Sequence, residues 1–140
     1  MAKHVLKDAV FTVDSTDLSD HTSSVTVEDS ADEVEFTAFG AGGYREFGQG
    51  LKDATITASV FNDYDASQVD AILAPLYASG GTFDVTVKAD SATTSGSNPI
   101  WTLKSRLYSY SPVAGGVGDA NTTDISFRNA GTAGLVRGTA

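Results

Sequence analysis

The sequence predicts a mainly β fold: an antiparallel β-sandwich or rolled sheet of about six to eight strands with one flanking α-helix. Three observations carry this. In residues 53–62, Ala54, Ile56, Ala58 and Val60 alternate with Asp53, Thr55, Thr57 and Ser59, which gives a strand one apolar and one wet face. Residues 82–89 repeat the pattern, with Phe83, Val85 and Val87 on the apolar side. Between them Val69, Ile72, Leu73 and Leu76 recur at spacings of three and four, the one helical stripe in the chain. Alternation without long apolar runs argues for antiparallel pairing with one solvated face. Two such layers packed together bury every apolar parity.

In chain order, residues 1–8 form a short polar arm and residues 9–13 a first strand. Asp14, Ser15, Thr16 and Asp17 supply turn chemistry. Residues 23–27 read as a second strand, with Val25 and Val27 inward. Residues 28–33 read as an acidic turn, and Val34, Phe36 and Ala38 mark a third strand. The central strand at 53–62 leads to a helix starting near Gln68, capped by Ser67 or Asp65, limited by Pro75 and ended by a left-handed cap at Gly80. After the strand at 82–89, residues 90–99 form an exposed polar loop. Residues 100–110 give the longest strand, with Trp101, Leu103 and Leu107 on one side, interrupted by Ser105. Residues 121–129 form the last clear strand, with Thr123, Ile125 and Phe127 inward. The tail at 130–140 adds a short strand near Leu135 or stays an extended arm.

Size and composition bound the rest. A chain of 140 residues reads as one domain, and 41% apolar with 19% charged residues reads as globular. No apolar run approaches the length of a membrane-spanning helix, and no secretory leader is expected at the N-terminus. Cysteine is absent, which removes disulfide and thiolate chemistry and fits a reducing cytoplasm. The formal charge is −9, from 18 acidic and 9 basic residues. Scattered basic residues do not offer the clustered phosphate contacts that nucleic-acid binding needs.

No catalytic or metal-binding constellation emerges, and the chain reads as a non-enzyme without cofactor. His4 and His21 lack ligand neighbours at zinc spacing. Asp63, Asp65 and Ser67 begin like a calcium loop, but Gln68 and Ala74 stand where it requires glycine and glutamate. Glu28, Asp29, Asp32, Glu33 and Glu35 form a local acidic cluster, not two carboxylates facing across a cleft. The irregular segment 40–50 holds five glycines (Gly40, Gly42, Gly43, Gly48 and Gly50) among Tyr44, Arg45 and Phe47. Those three side chains read either as interface anchors or as covers for the end of the core.

Taken with this order of parts, several phrases resemble the major tail (tail tube) proteins of long, non-contractile-tailed bacteriophages. They are Asp17-Leu-Ser-Asp20, Val25-Thr-Val-Glu-Asp29, Glu33-Val-Glu-Phe-Thr-Ala-Phe-Gly40, Arg45-Glu-Phe-Gly-Gln-Gly-Leu-Lys-Asp-Ala54 and Asp124-Ile-Ser-Phe-Arg-Asn-Ala-Gly131, around the helix at 67–79. The resemblance implies one domain over 1–140, with arms at 1–8 and 130–140 and an inter-ring loop at 40–52. It also implies six-membered rings that stack into a tube, a virion location after synthesis in the host cytoplasm, no membrane contact, and tape-measure, terminator and tail-tip proteins as partners. DNA passes through such a channel without specific binding. On this reading Tyr44, Arg45 and Phe47 are the contact candidates, and Asp53, Thr55, Thr57 and Ser59 the lumen-facing ones. Lys104 and Arg106 are expected outside the lumen or paired with the acidic cluster. The alternatives are another virion component of related fold (a tail terminator or capsid decoration protein) or a glycan-binding β-sandwich module.

Overall fold

In the computed structural model, which describes residues 3–140, the chain runs through β1 (Val10–Val13), β2 (Thr16–Asp17), β3 (Thr22–Glu35), β4 (Phe47–Phe61), α1 (Val69–Ser79), β5 (Phe83–Lys88), β6 (Ile100–Leu107), β7 (Thr122–Asn129) and β8 (Leu135–Gly138). Every pairing is antiparallel, in the order β2-β1-β5-β6-β7-β4-β3, with β8 beside β6. The mainly β fold with its single helix is therefore the one the alternation predicts.

The sheet rolls because β6 divides one edge between two partners. Its Ile100–Leu103 part pairs with β8, and its Ser105–Leu107 part with Phe127–Asn129 of β7. In a flat sheet, β1 and β7 would lie three strand spacings apart, on the order of 14 Å. Yet the rings of Phe11 and Phe127 lie 5.9 Å apart, and Phe83 meets Phe127 edge-on at 5.8 Å. The β1–β5 half thus folds over β7, and its apolar parity meets that of β4 and β7 in one core. Val13, Ile56, Val60, Val85, Leu103 and Ile125 are fully enclosed there.

Local chemistry explains the junctions. β1 and β2 are joined by Asp14 (φ 48°) and Ser15 (φ 67°), a left-handed pair that matches the twist of a two-residue hairpin. Helix α1 buries Val69 and Leu73 and ends at Gly80 (φ 66°), whose N–H donates to the carbonyl of Leu76, as predicted. Its start differs from expectation: neither Ser67 nor Asp65 caps it through its side chain. Instead the Asp63 carboxylate accepts the Asp65 N–H at 3.0 Å, and the Asp63 carbonyl accepts the Asp70 N–H at 2.9 Å. Pro75 lies inside the helix without ending it.

Asn121 ties the long β6–β7 connection to the β4–α1 loop. Its Oδ1 accepts from Asn62 Nδ2 at 2.9 Å and from the Ala114 N–H at 2.8 Å. Its Nδ2 donates to the Tyr64 hydroxyl at 2.6 Å, and that hydroxyl donates to the Pro112 carbonyl.

Four boundaries need correction. The acidic stretch 28–33 is no turn: it is the middle of one continuous strand, β3, whose backbone is held by β4 although its side chains are exposed. The loop expected over 40–52 shrinks to residues 36–46, because β4 begins at Phe47. The strand expected over 100–110 stops at Leu107. The C-terminal segment is not a free arm, since β8 joins the sheet beside β6. Of the N-terminal arm, residues 3–8 are exposed, with His4 Nε2 lying 3.2 Å from the Ala89 carbonyl, and residues 1 and 2 lie outside the described residues.

Candidate assembly surface

β3 and β4 run past the body of the protein as a two-stranded arm. Beyond the pair Asp29↔Ala54, no strand flanks β4, and residues 28–35 are exposed. A register shift between Ala31 and Glu33 bulges the arm on the β4 side, where Gly50 and Leu51 oppose Asp32. Two glycines have a steric reason to be in this strand. A Cβ on Gly48 would lie 2.6 Å from the Phe36 ring, and one on Gly50 would lie 2.8 Å from Val34 Cγ2. Both strand glycines leave room for an apolar side chain, Val34 of β3 or Phe36 just after it, to cross the hairpin.

The arm carries the largest group of exposed apolar side chains among the described residues: Phe36, Phe39, Tyr44, Phe47 and Leu51. Of the predicted contact residues, Tyr44 is 81% and Phe47 53% exposed, so neither covers the end of the core. Arg45 stands beside them, its Nε 3.9 Å from Glu35 Oε1 in an open, solvent-screened pair. Phe36, Phe39 and Leu51 are not among the predicted contacts, and Phe36, expected within a third strand, lies exposed just past the end of β3. Their company with glycine is the signal that could have found them.

The predicted lumen-facing residues sit together on the face of β3, β4 and β7 that points away from the core. Register puts Asp53, Thr55, Thr57 and Ser59 opposite Ser30, Glu28, Thr26 and Ser24 on β3. On the other side Thr55, Thr57 and Ser59 oppose Arg128, Ser126 and Asp124 of β7. The centre of this face is a shallow depression of about 280 Å³ bordered by Ser24, Thr26, Thr57, Ser59, Asp124 and Ser126. Short hydroxyl and carboxylate side chains dominate it. Its one arginine in these rows, Arg128, reaches Asp53 Oδ2 at 2.6 Å through Nη2.

Both sides of this face end in edges without a neighbouring strand among the described residues, although at the start of β7 the Thr122 N–H donates to the Ala114 carbonyl of the β6–β7 connection. β3 has no strand on its outer side, and β7 has none beside residues 122–126. By contrast the outer side of β1 is closed by β2, by the Ser19 hydroxyl on the Phe11 N–H and by the Leu18 N–H on the Phe11 carbonyl.

Lys104 and Arg106 project from β6 onto the outward face, and neither forms an ion pair with a carboxylate among the described residues. The expected pairing with the acidic cluster does not occur within the chain, because β7 and β4 stand between β6 and β3. Among the described residues no three His, Asp or Glu side chains gather as metal ligands, and no helix is long and apolar enough to cross a membrane.

No family model and no curated protein matches the chain. Solved structures do. A chain in the virion of a native gene transfer agent particle aligns with a TM-score of 0.75 at 16% identity, covering 96% of this chain and 98% of that one. A chain in the tail of an empty gene transfer agent particle, solved with C6 symmetry, aligns with a TM-score of 0.67 at 19% identity, covering 86% of this chain and 83% of that one. At such low identity the likeness is one of fold, and it extends over nearly the whole length of this chain.

Proposed function

We propose that the chain is a structural, non-enzymatic virion subunit whose copies close into six-membered rings and stack as a phage-type tail tube. The observation that carries this reading is the hydroxyl-rich outer face of β3, β4 and β7, bounded by the outer edge of β3 and by residues 123–126 of β7, neither with a neighbouring strand among the described residues. Open edges of this length are an aggregation liability unless another strand covers them. Different edges on the two sides suit head-to-tail closure of a ring. Such closure would make the Asp53, Thr55, Thr57 and Ser59 face continuous from copy to copy, as the wall of a channel. A wall dominated by hydroxyls and carboxylates, with its Arg128 held by Asp53, gives DNA phosphates little to hold, which suits passage without binding. Fold likeness to a chain from a particle tail solved with C6 symmetry supports the same reading. The exposed arm with Tyr44, Arg45 and Phe47 is the contact between adjacent rings.

Negative-stain electron microscopy across a concentration series tests this. Stacked rings with a central channel are expected, and the double variant Tyr44→Ala, Phe47→Ala should keep its fold and lose stacking. Rings of wild-type protein that never stack would favour a tail terminator, and monomers at every concentration would count against self-assembly.

A further inference from the structure

Four residues of the outward face lie in one cross-strand row: Glu28 on β3, Thr55 on β4, Arg128 on β7 and Arg106 on β6. The row is electrically polar. At its β3 end it opens onto Glu28, Asp29, Asp32, Glu33 and Glu35, in a strand without lysine or arginine. At its β6 end Arg106 stands directly opposite Arg128, a like-charge pairing that destabilises a sheet. Arg128 is drawn off by Asp53, and Lys104 stands in register opposite Asp84 of β5 without closing an ion pair, whereas Arg106 has no carboxylate within ion-pair distance among the described residues. Nor does a strand flank Arg106 on its other side, because β5 begins at Phe83, opposite Ser105.

Within one chain the two ends cannot meet, since two strands separate them. In a ring whose copies carry this row around the axis, the acidic end of one copy is the end nearest the basic end of the next. We infer that Arg106 and Lys104 of each copy receive the acidic β3 edge of its neighbour, with Glu28 and Asp32 as the carboxylates on the shared face. This rests on the ring assembly proposed above and names the charge pairing that sets the order of subunits around it. The occupant is a second copy of this chain because the complementary charge lies on the chain itself, at the two ends of one row.

Charge reversal tests it. The variants are Arg106→Glu with Lys104→Glu, Glu28→Lys with Asp32→Lys, and the four changes combined, all followed by sedimentation and electron microscopy. These side chains are exposed, so circular dichroism should match the wild type and melting shifts should stay within those of the altered cross-strand pairs Arg106–Arg128 and Lys104–Asp84. Each two-residue reversal should raise the concentration needed for assembly by about ten-fold or more, since like charges then face each other. The combined variant, and an equimolar mixture of the two reversals, should restore assembly to within about two-fold of wild type. Reversals that assemble at the wild-type threshold, or a combined variant no better than its parents, would overturn the inference while leaving the ring reading intact. Duplex DNA retained by wild type and released by Arg106→Glu, with assembly unchanged, would reassign the strip to phosphate. Wild-type protein that never assembles would remove both readings.

Discussion

The imidazole of His21 lies 2.8 Å, through Nε2, from Oδ2 of Asp63, a residue 42 positions later in the chain. Its Nδ1 meets Asp20 at 2.9 Å, so one ring joins the turn before β3 to the loop after β4. The Asp63 and Asp20 carboxylates hold the His21 pKa above its ordinary 6.5, outweighing partial burial. A raised folded-state pKa gives stability that is complete below the unfolded value and lost as pH rises through the folded one. The pKa of Asp63 is lowered by the Asp65 N–H and then by His21, so its contribution disappears as pH falls through the acidic range. The wild-type melting temperature should therefore decline from about pH 6 to pH 8.5 more steeply than that of His21→Gln. Parallel curves for the two proteins would refute a stabilising imidazolium.

Ser105 is fully buried on β6, and its hydroxyl has no hydrogen-bond partner. An unmet buried hydroxyl costs about 1–3 kcal/mol, while the cavity left by removing one oxygen is small. Ser105→Ala should stabilise the fold by about 1 kcal/mol, read as a shift of the urea midpoint at unchanged slope. A loss of stability would mean that the oxygen is satisfied in solution.

The Asn121 side chain serves three groups on two loops. Asn121→Ala strands the Ala114 N–H and leaves Asn62 Nδ2 only the Ser111 carbonyl, and should destabilise by about 2 kcal/mol. Asn62→Ala alone should cost less, and the double variant should be markedly less than additive, because both act in one network. Additive losses in a double-mutant cycle would show that the two asparagines act separately.

Gly48 lies under the Phe36 ring, on an arm outside the core. In Gly48→Ala the exposed ring must swing away, which should change global stability by less than about 0.5 kcal/mol. Assembly should nevertheless weaken, because the arm's apolar surface is rearranged. Unchanged assembly would place the contact elsewhere on the arm.

Those elements whose side chains divide between core and water were legible. The parities of Ala54–Val60, Phe83–Val87 and Thr123–Phe127, and the stripe of α1 with its Gly80 cap, each reflect burial on one side. The arm was not, because nothing in it is buried. Asp29, Ser30 and Asp32 sit in β3 through backbone pairing alone, and such residues ordinarily signal turns. Likewise Gly48 and Gly50 suggest a loop until Phe36 and Val34 are seen across from them. The hydroxyl face was recognisable from the parity of β4, but its companions on β3 and β7 depend on register that no local pattern specifies. Lys104 and Arg106 were noticed as basic residues on a polar side. Their separation from the acidic cluster follows only from the strand order.

The pairing of β1 with β5 has a consequence in time. Val13 meets Val85 only after β3, the arm, β4 and α1 have been threaded between them. Long-range closure of this kind is slow, whereas a hairpin between sequence neighbours forms within about 1–10 microseconds. The β3–β4 hairpin is therefore expected to form, with Phe36, Phe47 and Leu51 on display, before the core closes. Young chains would meet arm to arm at that stage. The five carboxylates along β3 make each arm repel the next, and this keeps the unfinished subunits apart until the body has closed.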